Sequence, residues 1–167
     1  MTAGAALVLV VLAACSQGAP ITPLTKEPSM SRTAAKADLD DLYAMVQKSV
    51  GDDDWQTEHR WVPCGSDGGR AVQYTIDGAR KGTLPGSPEE VLERIVHSLS
   101  DRGVDVRVQH DASNGQSVIG YPNGYNGGTE ADGYGFDITA AEGYASVTFF
   151  GHCVAGELPE RGTPLNP

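Results

Sequence analysis

SPEEVLERIVHSLSDRG, residues 87–103, carries the clearest structural signals in the chain. Ser87 and Glu90 form the pattern of a capping box, in which each side chain satisfies a free backbone N–H group of the first turn. Pro88 suits the first helical position, and Gly103 suits a left-handed residue just after the helix. The core-facing residues recur at helical spacing: Val91, Leu92, Ile95, Val96 and Leu99. This segment therefore predicts an amphipathic helix with one buried face.

Segments with strand character follow this helix. Residues 104–109 alternate valine with polar side chains, which is typical of a half-buried strand. Asn114-Gly115 predicts a tight turn into a strand at 116–121, and Glu142-Gly143 predicts a turn between strands at 134–140 and 144–153. The glycine-rich residues 122–133 between them predict a loop.

A second helix and two more strands precede residue 87. Residues 31–50 place apolar side chains at helical spacing, and strands are predicted at 55–63 and 70–77. Consecutive strands joined by short turns pair antiparallel, and amphipathic helices cover one face of such a sheet. We therefore expect an α+β fold, a two-layer sandwich whose antiparallel sheet of about five to six strands carries two helices on one face.

Length and charge limit the function. A chain of 167 residues fits one domain of ordinary size. Its formal net charge of −10 argues against a nucleic-acid partner, because such binding depends on Lys and Arg side chains that neutralise phosphates.

The N-terminus has the pattern of an export signal. Residues 5–14 form an apolar run of ten, about 15 Å as a helix, which is too short to span a bilayer. Leu12-Ala13-Ala14-Cys15 matches the bacterial lipobox, although residues 1–4 lack the usual Lys or Arg. We expect a lipoprotein signal peptide at 1–14, a lipidated flexible tether at 15–31, one domain at 32–156 and a proline-rich tail at 157–167.

Three cysteines are present, and Cys15 is assigned to lipidation. The remaining two, Cys64 and Cys153, predict a disulfide, since exported proteins oxidise such pairs. A redox pair and a zinc site are the weaker alternatives, because neither a Cys-x-x-Cys spacing nor a set of further ligands accompanies them.

No catalytic or metal-binding constellation stands out. Asp111-Ala112-Ser113-Asn114-Gly115 resembles the start of a calcium loop, but the acidic residue expected at loop position twelve is missing, which favours a simple turn. We predict no catalytic residues, no metal site and no cofactor.

The clearest candidate for recognition is a group of tyrosines in or beside the glycine-rich loop. Tyrosine offers a large contact area at low entropic cost, and glycine makes the surrounding backbone adaptable. The alternative is that the strand tyrosines only cover the edge of the sheet. The candidate interaction surface consists of Tyr121, Tyr125, Tyr134 and Tyr144.

Taken with the lipobox, the helices and the strand leading to Cys64, the chain resembles the LppA-type lipoproteins of mycobacteria and related actinobacteria. The resemblance also rests on 133–137, GYGFD, and on 147–153, VTFFGHC, followed by Leu158-Pro159. It covers about 120 residues, from 35 to 159. It implies an envelope lipoprotein with one disulfide and supplies no catalytic residue.

We therefore expect a non-enzymatic binding or interaction module, anchored by lipid on the extracytoplasmic face of the cell membrane, with an envelope protein or cell-wall partner. One alternative is an envelope enzyme or enzyme inhibitor that uses the loop 121–135, with His110 or Asp132 near Tyr125. The other is a small carrier of lipids or cell-wall fragments, which would need an apolar cavity between helices and sheet.

Overall fold

The computed structural model describes residues 30–65, 70–122 and 130–159. The predicted signal peptide and nearly all of the predicted tether lie outside these residues, as do Tyr125 and the end of the predicted tail. Within the described part, no helix is both long enough and apolar enough to cross a membrane.

Both predicted helices are present, and the second begins at its predicted cap. The helix α1 (Arg32–Val50) starts after Ser31, whose side chain accepts a hydrogen bond from the Ala34 N–H group. The helix α2 (Pro88–Asp101) has the complete capping box of Ser87 and Glu90. Gly103 adopts the left-handed conformation, with φ of +79°, just beyond its C-cap.

Seven strands form one antiparallel sheet, in the spatial order β1-β2-β6-β5-β4-β3, with β7 paired to β2 beside the end of β6. The strands are β1 (Trp55–Pro63), β2 (Ala71–Lys81), β3 (Gln109–Asp111), β4 (Gln116–Tyr121), β5 (Gly135–Ala141), β6 (Tyr144–Phe150) and β7 (Val154–Ala155). The α+β sandwich is confirmed, with slightly more strands than the predicted five to six. The extra strand, β7, has two residues, too few to produce a periodic signal.

The helices pack on one face of the sheet, and the core lies between these layers. The helix α1 contacts β2, β6 and β7, while α2 contacts β4 and β5. The largest fully buried side chains include Tyr74, Phe136, Phe149, Leu39, Leu42 and Ile76. Along β5 and β6 the buried side chains alternate with Asp137, Thr139 and Thr148, which lie on the opposite, open face of the sheet.

Two strand predictions were wrong in detail. Residues 104–108 are not a strand, and only Gln109–Asp111 pairs with β4. Val104, Val106 and Val108 are partly buried against the core, so their alternation reflects one-sided burial of an extended chain without ladder hydrogen bonds. The strand β6 ends at Phe150, which leaves Cys153 in the connection to β7.

The strand β2 also runs past its predicted end at Asp77, because Gly78 does not interrupt it. A Cβ atom at Gly78 would lie 3.1 Å from Val147 Cγ2 and 3.2 Å from the Tyr43 hydroxyl. Glycine is therefore required there by the close approach of α1 to the sheet, and no turn is formed.

Candidate interaction surface

A tight turn at Glu130–Tyr134 positions the first ring of the candidate surface, Tyr134. The Glu130 N–H donates to the Tyr134 carbonyl at 2.7 Å, and the Gly133 N–H donates to the Glu130 carbonyl at 2.8 Å. The Tyr134 N–H donates to the Asp132 carboxylate at 3.1 Å, and Gly133 has φ of +90°. The turn therefore depends on a left-handed glycine and on an aspartate that accepts from the backbone two residues later.

This turn is attached to the disulfide and to the core of the sheet. Cys64 and Cys153 form the predicted disulfide, with Cα atoms 6.0 Å apart. The Cys153 N–H donates to the Asp132 carbonyl at 2.6 Å. The Gln73 amide donates to the carbonyls of Gly133 and Gly151, at 2.6 and 2.8 Å. Because Gln73 is only 7% exposed, this buried bridge fixes the turn to the first residues of β2.

Four rings then pack in series beside the turn. The Tyr134 and His152 rings are stacked, with centroids 4.5 Å apart and an interplanar angle of 14°. Tyr121 stacks on the buried Phe136 at 5.5 Å and meets Tyr134 edge-on at 5.9 Å. We call Tyr121, Tyr134, Phe136 and His152 the aromatic cluster. Because neighbouring rings hold one another in place, the exposed part of the cluster is rigid. Such rings lose little entropy when a partner binds them.

Charged groups surround this platform. His152 Nδ1 lies 2.5 Å from Asp132 Oδ2, with the His152 side chain 28% exposed and that of Asp132 52% exposed. Burial of Asp132 acts to raise the pKa of its carboxyl, but the Tyr134 N–H and the His152 side chain outweigh it and lower the pKa overall. Asp132 is therefore an anion next to the rings at neutral pH.

The tyrosine hydroxyls stay protonated. Burial is the main cause that raises the pKa of Tyr134 to about 12, and the nearby Asp38 carboxylate adds to it while Arg102 opposes it. Burial followed by the Glu130 carboxylate raises the pKa of Tyr121. Both side chains therefore present a neutral hydroxyl and an apolar ring to solvent.

The structure brings together two of the four predicted surface tyrosines. Tyr121 and Tyr134 are neighbours, whereas Tyr144 pairs with Lys81 and Ala141 at the other end of the sheet. Tyr125 lies outside the described residues. Tyr121 and Tyr134 also pack on Phe136, so they cover the sheet and form a surface at the same time.

Asp132 pairs with His152 and not with His110, the histidine that the sequence suggested for a polar site. His110 lies on β3, where its Nδ1 is 3.2 Å from the Ser117 hydroxyl. The sequence singled out neither His152 nor its stacking on Tyr134. A signal was present, since His152 lies near the end of the predicted strand 144–153, which follows the predicted loop.

A second polar cluster lies between α1 and β1 and was missed from the sequence. His59 Nδ1 is 2.9 Å from the Tyr74 hydroxyl, and Asp40 is within hydrogen-bond reach of the same hydroxyl. Lys36 pairs with Asp40 at 2.5 Å and lies over the Tyr74 ring at 5.0 Å. The alternation in β2 places Tyr74 on the core side with Val72 and Ile76, and a buried tyrosine needs a partner for its hydroxyl.

Burial changes the titration of this second cluster. It lowers the pKa of His59, although the Asp40 carboxylate opposes the change. Burial, helped by the same carboxylate, raises the pKa of Tyr74. His59 is therefore held as a neutral, hydrogen-bonded ring, and its role is to satisfy polar groups under α1.

The open face of the sheet carries a row of polar residues. Thr148 lies between Asp77 and Asp137 in the register, and Arg60 bonds both Asp77 and Glu58 at 2.9 Å. Asp137 Oδ1 is buried without a hydrogen-bond partner, and burial raises the pKa of this carboxyl. A shallow hollow of about 560 Å³ beside Asp77 and Thr148 extends to Tyr144.

No cluster of three or more potential metal ligands occurs in the described residues. Comparison with known proteins gives no family: no protein-family model, no curated protein and no solved structure matches the chain.

Proposed function

We propose that the protein is a lipid-anchored lipoprotein of the LppA type, held on the extracytoplasmic face of a bacterial membrane, which binds an envelope protein or cell-wall partner through its aromatic cluster. The stacked Tyr134–His152 pair is the observation that carries the binding role. Its rings are partly exposed and are already fixed by the turn, the Gln73 bridge and the disulfide. Such preorganisation lowers the entropic cost of binding.

Two features support the proposed location. The lipobox ending at Cys15 supplies the anchor by resemblance, and a diacyl or triacyl anchor holds a protein stably without a spanning segment. The Cys64–Cys153 disulfide fits an oxidising compartment outside the cytoplasm.

Crosslinking and affinity capture of the lipidated protein from intact envelopes test this proposal. The informative variants are Tyr134→Phe and His152→Ala, because the first removes only a hydroxyl and the second removes one face of the stack. Tyr144→Ser is the matched control, since it changes a partly buried tyrosine at the other end of the sheet.

We expect specific partners that are lost with His152→Ala and are kept with Tyr144→Ser. Retention of the same partners in all variants would show that the partners do not bind through the aromatic cluster. Absence of any partner would favour the enzyme, inhibitor or carrier alternatives. Circular dichroism of each variant checks that the fold is intact.

A further inference from the structure

The end of the domain where the predicted tether joins exposes large apolar side chains. Among the described residues, the exposed large hydrophobic side chains are Met30, 39% exposed, and Leu158, 47% exposed. They are far apart in the sequence, but each lies two residues from one of two residues that are in contact, Arg32 and Gly156. A Cβ atom at Gly156 would lie 3.1 Å from Arg32 Cδ, so Met30 and Leu158 are at the same end of the domain.

Two arginines lie beside these apolar side chains. The Arg32 guanidinium lies 4.6 Å from the centroid of the Trp61 ring, which is only 9% exposed and is therefore covered by Arg32. The Gly156 N–H donates to the Arg70 carbonyl at 3.0 Å, which places a second arginine beside the same segment. We call Met30, Arg32, Arg70 and Leu158 the tethered-end surface. Exposed apolar side chains and arginines with long apolar stems suit the boundary between lipid and water.

We infer that the tethered-end surface rests on the lipid bilayer, with Met30 and Leu158 entering the headgroup region. The inference depends on the proposed lipid anchor at Cys15. Fifteen residues, 15–29, separate that cysteine and Met30, inclusive of Cys15. A flexible chain of this length keeps its ends roughly 20 Å apart on average, so the anchor holds this end of the domain near the membrane.

Charge adds little to this orientation. Arg32, Arg70 and Arg102 at the tethered end are offset by Glu130, Asp132 and Glu157, which are all exposed. At the opposite end, the exposed acidic run 52–54 is accompanied by Glu89, Glu90 and Glu142. The contact therefore depends mainly on apolar burial, and the orientation persists in uncharged vesicles at moderate salt.

The two tryptophans report the orientation directly. Trp61 lies directly beneath Arg32 of the tethered-end surface, whereas Trp55 lies at the other end of β1, six residues or roughly 20 Å away, where its indole N–H donates to the Gly51 carbonyl. The lipidated full chain is reconstituted into phosphatidylcholine vesicles that contain a lipid with a nitroxide on its headgroup. Quenching of fluorescence is then compared in Trp55→Phe, which reports Trp61, and in Trp61→Phe, which reports Trp55.

We expect stronger quenching of Trp61 than of Trp55, and loss of this difference when Met30→Ser and Leu158→Ser are added. Equal quenching of both tryptophans, with the protein still floating with the vesicles, would overturn the lipid contact while leaving the anchor in place. Flotation that fails for the wild-type chain, or that survives Cys15→Ser, would contradict the anchor instead.

Discussion

The two ends of the sheet are held together in different ways. At the tethered end, segments distant in sequence are joined by the disulfide, the Gln73 bridge and the aromatic cluster. At the opposite end, several contacts are local: the capping box of α2, Trp55 bonded to Gly51, and Arg80 bonded to the Thr83 carbonyl, although Arg80 also bonds the more distant Asp53 carbonyl. The disulfide and the buried amide bridge thus fix the tethered end, as a binding surface requires, whereas turns and caps contribute to the opposite end.

Removal of the disulfide should weaken the tethered end most. Changing Cys64 and Cys153 together to Ala opens a loop of 89 residues, and the chain-entropy estimate for such a loop is about 4.6 kcal/mol of unfolding free energy. Urea denaturation of the variant and the wild type measures the loss. A loss below about 1 kcal/mol would show that the turn and the aromatic cluster hold this end without the disulfide.

A pair of glycines compares the two ends more closely. Gly133 and Gly143 both have positive φ, +90° and +71°. A Cβ atom at Gly133 would lie 2.6 Å from Gln73 Nε2, whereas one at Gly143 would meet nothing within 4 Å. Gly133→Ala should therefore cost about 3 kcal/mol, and Gly143→Ala only about 1 kcal/mol for backbone strain alone. Thermal unfolding measures both, and equal losses would contradict the role given to the Gln73 bridge.

The local contacts at the opposite end should give smaller effects. Ser87→Ala removes the hydroxyl that accepts from the Glu90 N–H, and should lower the unfolding free energy by about 1 kcal/mol. Ser87→Asp is the control, because aspartate also caps helices well and should restore most of the loss. Capture of partners should be unchanged in both variants, since neither touches the aromatic cluster.

The smallest effect should appear in the pH dependence of the unfolding free energy, below neutral pH. Burial lowers the pKa of His59 in the folded state, where it faces Tyr43, Lys36 and Asp40 from α1 and Tyr74 from β2. The unfolded chain therefore takes up a proton at about pH 6.5 before the folded state does, and stability falls as pH decreases below that value.

Urea denaturation between pH 5 and 8 measures this decline. His59→Asn should reduce it, and His97→Asn, at a side chain that is 81% exposed, is the surface control for a histidine substitution. An unchanged decline in His59→Asn would place its source in other groups.

The sequence predicted most of the fold because its signals are local. The capping box at Ser87, the helical spacing at 31–50 and the turns at Asn114-Gly115 and Glu142-Gly143 each act over a few residues, and each was confirmed. Residues 104–108 were misread because alternation reports burial on one side and does not reveal a partner strand. The length of β2 was underestimated because Gly78 is explained by close contacts with Tyr43 and Val147, which are 35 and 69 positions away in the sequence.

The surface was less predictable than the fold. Tyrosine content pointed to Tyr121 and Tyr134, but only the strand register separates them from Tyr144. The stacking of His152 and the bridge from Gln73 join positions up to 78 residues apart, and no local pattern records such contacts.

The tethered end is proposed to be held at the membrane by an acylated Cys15, and the mass of the mature protein tests this acylation directly. Protein extracted from the membrane fraction of cells expressing the whole chain is analysed by intact mass and by N-terminal peptide mapping. The account predicts loss of residues 1–14 and an acylated Cys15 as the new N-terminus. An unmodified Cys15 within a chain that still begins at Met1 would contradict it.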